Sequence, residues 1–425
     1  MHRETLRPLS LSLACVLLFC ALFSLASPHS SAADFKLSGF GTLGYAWGDQ
    51  NFPYLRYIDT GGSFRGDTLF GLQGDAQFNS QWSTTVQAVA SAPRTRDNGV
   101  ETKFRWAFVS YRPNNDWLFR VGRVRPPFFL NSQNAEVGVT YDQVRLPPEF
   151  YSFSPAYDID GGIVTKTWSL EKSELNLDAY MGNADIKFRL FSRDTDQPMY
   201  ISDSAKTQGL ILSYTTGSLL LRGGANRLNI YLPDQPIPKS YDPNPIPGPS
   251  PFGGTLYLPS SSVSKFNITL LTVGADWRAA DWRVTGEFAK RITQGTIIAD
   301  GGWSAYATLA RQIGKWTPYV THARTLSDSD TRANYSSVNG TPVPLAVQAF
   351  PPFLSPNFHR SLADTFAASD QYSNMVGASY SFSATSKLKV EWMQTHVGLV
   401  SNTLVDGDVH NQRFNVFSVS YSMAF

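Results

Sequence analysis

The chain has 425 residues and a formal net charge of +2, with 16% charged and 13% aromatic residues. That balance offers no concentrated basic stripe for nucleic acid, and charged residues fall well below the roughly one quarter usual in soluble domains. With a mean hydropathy of −0.20 and no apolar run of about eighteen residues beyond the N-terminal segment, a bundle of membrane-spanning helices is excluded.

In chain order, Arg3 and Arg7 precede an apolar stretch, Leu9 to Leu25, and the small residues Ser31, Ala32 and Ala33 follow. This reads as a secretory signal, 1–33, cleaved after Ala33 and leaving 34–425 as one domain. Cys15 and Cys20 both fall inside it, so the mature chain is expected to have no disulfide and no thiolate metal site. Phe19 before Cys20 argues against a lipoprotein signal.

From Asp34 onward the dominant signal is alternation. Phe35, Leu37, Leu43, Tyr45 and Trp47 share one face of the first run; Lys36, Ser38 and Thr42 share the other. Later runs repeat the pattern, with Leu271, Val273 and Trp277 opposed to Asp276 and Arg278, and Val390 and Trp392 opposed to Lys389 and Glu391. The final run sets Phe417, Val419, Tyr421, Met423 and Phe425 against Ser418, Ser420, Ser422 and Ala424. Successive strand residues point to opposite faces, and an oily face with aromatics opposed to a small polar face suits a strand between lipid and a wet lumen.

Sixteen such runs are read, near 34–47, 64–78, 81–92, 100–112, 117–125, 158–168, 173–183, 205–215, 218–229, 266–278, 281–293, 301–311, 316–326, 370–383, 386–398 and 411–425. Short turns alternate with mostly long connections. The expected fold is all-β: a transmembrane antiparallel β-barrel of 16 strands with short periplasmic turns and long extracellular loops. Barrels of sixteen to eighteen strands are wide enough for an aqueous channel. The connection 230–265 holds nine prolines and is expected to be a stiff loop over the mouth, not a strand. The connection 184–204 is likewise expected to be a loop.

The third loop, 126–157, follows strand five and is rich in apolar residues, Phe128 to Leu130 and Phe150 to Phe153. Folding it into the lumen would bury them and narrow the channel. Wall arginines Arg105, Arg120 and Arg123 are then expected to face loop acids Glu136, Asp142 and Glu149 across a charged constriction, since rings of charge set which solutes pass.

The closing Tyr421-Ser-Met-Ala-Phe425 resembles the terminal strand of Gram-negative outer-membrane barrels, and Val109-Ser-Tyr-Arg-Pro113, Arg120-Val-Gly-Arg123 and Pro147-Pro-Glu-Phe-Tyr151 resemble motifs of a proteobacterial sixteen-stranded porin family. The resemblance implies an outer-membrane location, Phe425 as the signal read by the assembly machinery, an inward third loop, and a homotrimer in contact with outer-membrane lipid and lipopolysaccharide. It implies passive diffusion of small hydrophilic solutes and ions, with no catalytic step and no cofactor. A substrate-specific channel, a loop-driven adhesin or receptor, and a barrel hydrolase are the alternatives. Gly39-Phe-Gly-Thr-Leu-Gly44 matches a dinucleotide fingerprint but lacks the strand before it and the helix after it. The histidines show no metal-ligand spacing.

Overall fold

A computed structural model describes residues 34–425 apart from 94, 95, 155, 235 and 300; the expected signal, 1–33, lies outside the described residues. The strands are β1 (Asp34–Gly48), β2 (Leu69–Gln77), β3 (Trp82–Ser91), β4 (Glu101–Asn114), β5 (Trp117–Val124), β6 (Ile159–Ser169) and β7 (Ser173–Ser192). They continue as β8 (Gln197–Thr216), β9 (Leu219–Tyr231), β10 (Ile237–Pro238), β11 (Tyr241–Ile246), β12 (Gly254–Pro259), β13 (Ser262–Val263) and β14 (Lys265–Ala279). The last are β15 (Trp282–Gln294), β16 (Gly302–Arg311), β17 (Trp316–Ser327), β18 (Ser369–Ser383), β19 (Ser386–Ser401) and β20 (Gln412–Ala424).

Sixteen of these close a single antiparallel barrel in the order β1 to β9, then β14 to β20, with β20 returning to β1. Closure leaves no open edge, so every strand finds ladder partners on both sides. Alternation sets the faces. On β20, Phe417, Val419, Tyr421 and Met423 are each at least 40% exposed on the outside, while Ser418, Ser420 and Ser422 are buried inside. Aromatic rings cluster near both ends of the outer face, as in Trp82 against Tyr111 and Trp316 against Tyr380 at the turn end, and Trp47 against Phe417 toward the loop end. Among the described residues no helix is long and apolar enough to cross a membrane.

Two expectations are corrected. Residues 184–204 are mostly strand, because β7 and β8 form a long paired hairpin. The polarity of their faces inverts partway: Asp178 points inward low on β7, whereas Ile186 and Leu190 are the buried inward residues higher up. An oily-outside rule loses the strand at that crossover. The proline-rich connection also holds strands, with β11 pairing β12 so that Pro243 lies opposite Tyr257 and Pro245 opposite Thr255. Two prolines two residues apart place both missing donors on the same side of a two-stranded hairpin, where a free edge needs none.

Candidate functional site: the inward loop and its constriction

The wall ends at Val124 because Pro126 and Pro127 follow, and neither has a ladder donor. The chain turns into the barrel and buries its aromatics. Phe129 packs on Phe150 (ring centroids 4.6 Å), Phe128 on Tyr157, and Phe150 on Tyr306 of β16 (5.2 Å). Each fully buried ring contributes about 1.5–3 kcal/mol relative to exposure. That gain holds the loop indoors.

Polar anchors then run across the barrel interior to the far wall. The carboxylate of Glu287 on β15 accepts from the Leu130 amide (2.8 Å), the Tyr151 hydroxyl (2.7 Å) and the Tyr306 hydroxyl (2.8 Å). Arg222 of β9 donates to the Phe129 carbonyl (2.9 Å). Lys389 of β19, fully buried, donates to the carbonyls of Gly138 (2.5 Å) and Gln143 (2.9 Å). Arg145 grips Asp67 through two nitrogens (3.0 and 2.6 Å) and donates to Ser418 of β20 (2.8 Å). Gly138 sits so close to Thr42 and Ser422 that an added Cβ would lie 2.4 Å from the Ser422 hydroxyl.

The fold pairs Arg105 with Glu136 and separates Arg120, Arg123, Asp142 and Glu149. Arg105 meets Glu136 (3.3 Å) and Asp158 (3.1 Å), and Arg125 bonds the same two carboxylates, making a closed four-charge cluster where the loop leaves the wall. Arg120 faces inward but reaches Thr165 (3.3 Å) and Asp178 (3.8 Å) on neighbouring strands, not a loop acid. Arg123 shares a face with Val121, which is 67% exposed outside, and pairs in bidentate fashion with Asp160. Asp142 lies on the far side, accepting from Lys387 (2.9 Å) and Ser379 (2.8 Å). Burial pushes its carboxyl up, but Lys387 and its other partners outweigh that and hold it below the usual range. Glu149 makes no ion pair among the described residues; it accepts from Gln371 (2.7 Å) and from Ser373, and burial raises its carboxyl above the usual range.

The expected wall of arginines facing a loop of acids is therefore corrected. It forms at one place, Arg105 with Glu136. Strand alternation carries Arg123 outside, and the loop lies across the barrel, so Asp142 and Glu149 end against β18 and β19. Arg125, Arg145, Lys389 and Glu287 were missed as anchors. Arg125 and Arg145 stood in or beside the loop in the sequence, but nothing local marks which cation reaches which distant strand.

The loop is tied to β9, β15, β19 and β20, and the inward residues Ile163, Asp178, Tyr180 and Ile211 of β6 to β8 are buried, so accessible polar inner surface is found on β2 and β3. On the loop side Asn131, Gln133 and Asn134 are half-buried and Thr140 is exposed; on the wall, Gln73, Asp75 and Thr85 remain accessible. Asp75 accepts from Gln73 (2.9 Å) and Thr85 (2.6 Å). This accessible inner surface is polar.

Above the barrel the connections form an ordered cap. Arg189, high on β7, bonds both Asp97 (3.0 Å) and Asp406 (2.6 Å) from two other connections. Arg193 bonds Asp364 (2.5 Å) and Asp408 (2.9 Å). A small apolar core of Tyr241, Ile298, Tyr335, Val338 and Phe366 joins the β11–β12 hairpin to the helix Ser329–Gly340.

No protein-family model matches the chain, and no curated protein matches it. Solved structures do. OmpT of Vibrio cholerae, an outer membrane protein folded in vitro and in trimer form, matches with a TM-score of 0.53 at 10% identity, covering 93% of this chain and 100% of that one. OmpF of Salmonella typhi, in complex with daunomycin, matches with a TM-score of 0.50 at 10% identity, covering 92% and 98%. OprB of Pseudomonas putida, at high pH, matches with a TM-score of 0.50 at 8% identity, covering 92% and 94%. At these identities the likeness establishes the barrel fold.

Proposed function

We propose that the protein is an outer-membrane porin, a passive diffusion channel for small hydrophilic solutes and ions, without a catalytic step or cofactor. The observation that carries this reading is the loop anchored across the interior of a closed sixteen-stranded barrel, opposite accessible polar residues on the β2 and β3 wall. The outer band of exposed apolar side chains supports residence in lipid, since a water-soluble monomer rarely shows contiguous apolar patches beyond a few hundred Å². A closed barrel satisfies its backbone groups internally, the alternative to a helix for crossing a bilayer. On this reading the turn end and both chain ends face the periplasm and the cap faces outward, the barrel assembles as a homotrimer among outer-membrane lipid and lipopolysaccharide, and Phe425 is the residue read by the assembly machinery.

Purified protein in planar bilayers is expected to give stepwise, ohmic conductance; a barrel that inserts and never conducts would overturn the reading. The ordered cap favours a second reading, a substrate-specific channel. Saturable block of conductance by one solute would identify it.

A further inference from the structure

The outer wall of β5 through β9 carries a groove of about 720 Å³, within the roughly 300–1,000 Å³ of small-ligand sites. Its floor is made of small outward residues, Gly162, Ala179 and Ala225, where neighbouring strands carry larger ones; Val121, Met181 and Leu210, all more than half exposed, form its sides. Toward the loop end the groove finishes at Arg227, which lies opposite Gln208 on β8. Lys206 stands two residues beyond Gln208 on the same face, a diagonal neighbour of Arg227 at about 7–8 Å between Cα atoms. Both cations are exposed, and neither has an ion pair or side-chain hydrogen bond among the described residues. Of the acids on this face, Asp160 is taken by Arg123 (2.6 Å), and Asp185 is exposed on β7, diagonal to Lys206, without bonding it.

Elsewhere the loop-end boundary of the outer face is aromatic, with Trp47 and Phe417 on β1 and β20 and Phe288 and Trp303 on β15 and β16. On β5 to β8 the corresponding positions are Arg123, Asp160, Asn183 and Lys206, followed by Asn229 on β9, where a ring, Tyr231, returns one pair farther out. On β5 to β8 polar groups stand where rings run elsewhere, directly above a trough. Exposed cations at the head of an apolar groove match an anionic headgroup with its chain lying toward the bilayer centre.

From this juxtaposition we propose that the β5–β9 face is a binding site for an anionic, phosphate-bearing lipid of the leaflet on the loop side. One acyl chain lies in the groove, and the phosphate is held by Arg227 and Lys206. The inference rests on the membrane reading above.

The test is native mass spectrometry of the purified protein in a zwitterionic detergent, with dioleoylphosphatidylglycerol, dioleoylphosphatidylcholine or inorganic phosphate as probes. Wild type is expected to retain phosphatidylglycerol on the order of tenfold over phosphatidylcholine, a preference lost in the K206Q/R227Q double variant. Ala225→Leu, which fills the floor, is expected to lose retention of both lipids. The single variants K206Q and R227Q, each weakening the preference, serve if the double variant does not fold. Equal retention of the two lipids by wild type overturns the proposal. So does displacement of the lipid by inorganic phosphate alone, which would mark a bare anion site. If Ala225→Leu breaks an oligomer into single copies and leaves lipid retention unchanged, the groove is a contact between copies and the proposal fails. A protein that retains the lipid but does not conduct would sink the diffusion reading and leave this site standing.

Discussion

The carboxylate of Glu149, on the helical turn Pro148–Tyr151 of the inward loop, accepts a 2.7 Å hydrogen bond from the Gln371 side-chain amide on β18 and makes no ion pair among the described residues. Its second oxygen is buried with no hydrogen-bond partner among the described residues. A fully buried carboxyl without a counter-charge favours its neutral form, so this contact fastens the loop to the wall best when protonated.

The pH dependence follows from that. Burial raises the folded-state pKa of Glu149, and the hydrogen bonds from Ser373 and Gln371, with the weaker field of His322, offset only part of the rise. The folded protein therefore binds this proton more tightly than the unfolded chain, whose ordinary value is 4.5. The stabilisation is complete below that pH and is lost as pH rises through the folded value. Glu149→Gln is expected to melt at a higher temperature than wild type at pH 8, by a margin that shrinks toward pH 4. A margin independent of pH would remove Glu149 as the group responsible.

Arg125 leads to a stability prediction. Its guanidinium side chain is 1% exposed and bonds both Glu136 and Asp158 at 14% and 19% exposure. Replacing it by methionine leaves two carboxylates to share Arg105. Removing one partner of a buried ionic cluster costs about 3–5 kcal/mol, and the remaining Arg105 places this case near the lower end. In a double-mutant cycle, Glu136→Gln added to Arg125→Met is expected to recover part of the loss. Additive losses would mean that the two groups do not act together.

Selectivity separates two arginines that look alike in sequence. Arg120 faces the lumen beside Asp178, whereas Arg123 is outside with Asp160. Under a salt gradient, Arg120→Glu is expected to move the reversal potential toward cation preference, and Arg123→Glu to leave it in place. Wild type is expected to be weakly selective, because the loop acids Glu136 and Asp142 are neutralised in pairs with Arg105 and Lys387. A shift from Arg123→Glu equal to that from Arg120→Glu would put both side chains in the ion path.

Much of the barrel was legible in the sequence, because a lipid-to-lumen alternation repeats wherever a strand crosses the apolar band. β17 and β19 start at Trp316 and Ser386, each where the turn residues stop and the alternation resumes. The reading failed where the environment on the two faces changes. High on β7 the cap and the inward loop make the interior apolar, so Ile186 and Leu190 point in while Asp185 and Lys187 point out. In β11 the prolines at 243 and 245 looked like breakers, because the free edge that tolerates them exists only once the hairpin has formed. The loop was identified by its unsatisfied aromatics, Phe128, Phe129 and Phe150. Its anchors were not, since the pairing of Glu287 with Leu130 or Arg145 with Asp67 depends on how far across the lumen the loop reaches.

The seam of the barrel offers a sharper test, at Gly39. The Phe425 amide donates to the Gly39 carbonyl (2.9 Å) and the Gly39 amide to the Phe425 carbonyl (2.9 Å), so the two residues exchange both bonds where the first and last strands meet. The Phe425 ring lies over Gly39, and a Cβ added there would come within 2.4 Å of it. Valine at 39 must push the ring off the strand; the ring is an exposed end group, yet backbone bonds on both sides hold its Cα. Gly39→Val is therefore expected to slow closure of the barrel, seen as a smaller fraction of the compact, heat-modifiable band in electrophoresis after refolding into detergent. Truncating the ring in Gly39→Val/Phe425→Ala should restore closure in vitro, because the steric conflict is gone. If Phe425 is also the residue read by the assembly machinery, that double variant will still assemble poorly in cells. Rescue in detergent without rescue in cells would separate the two roles of one side chain, whereas failure in detergent would show that Gly39 is needed for a reason other than making room for the ring.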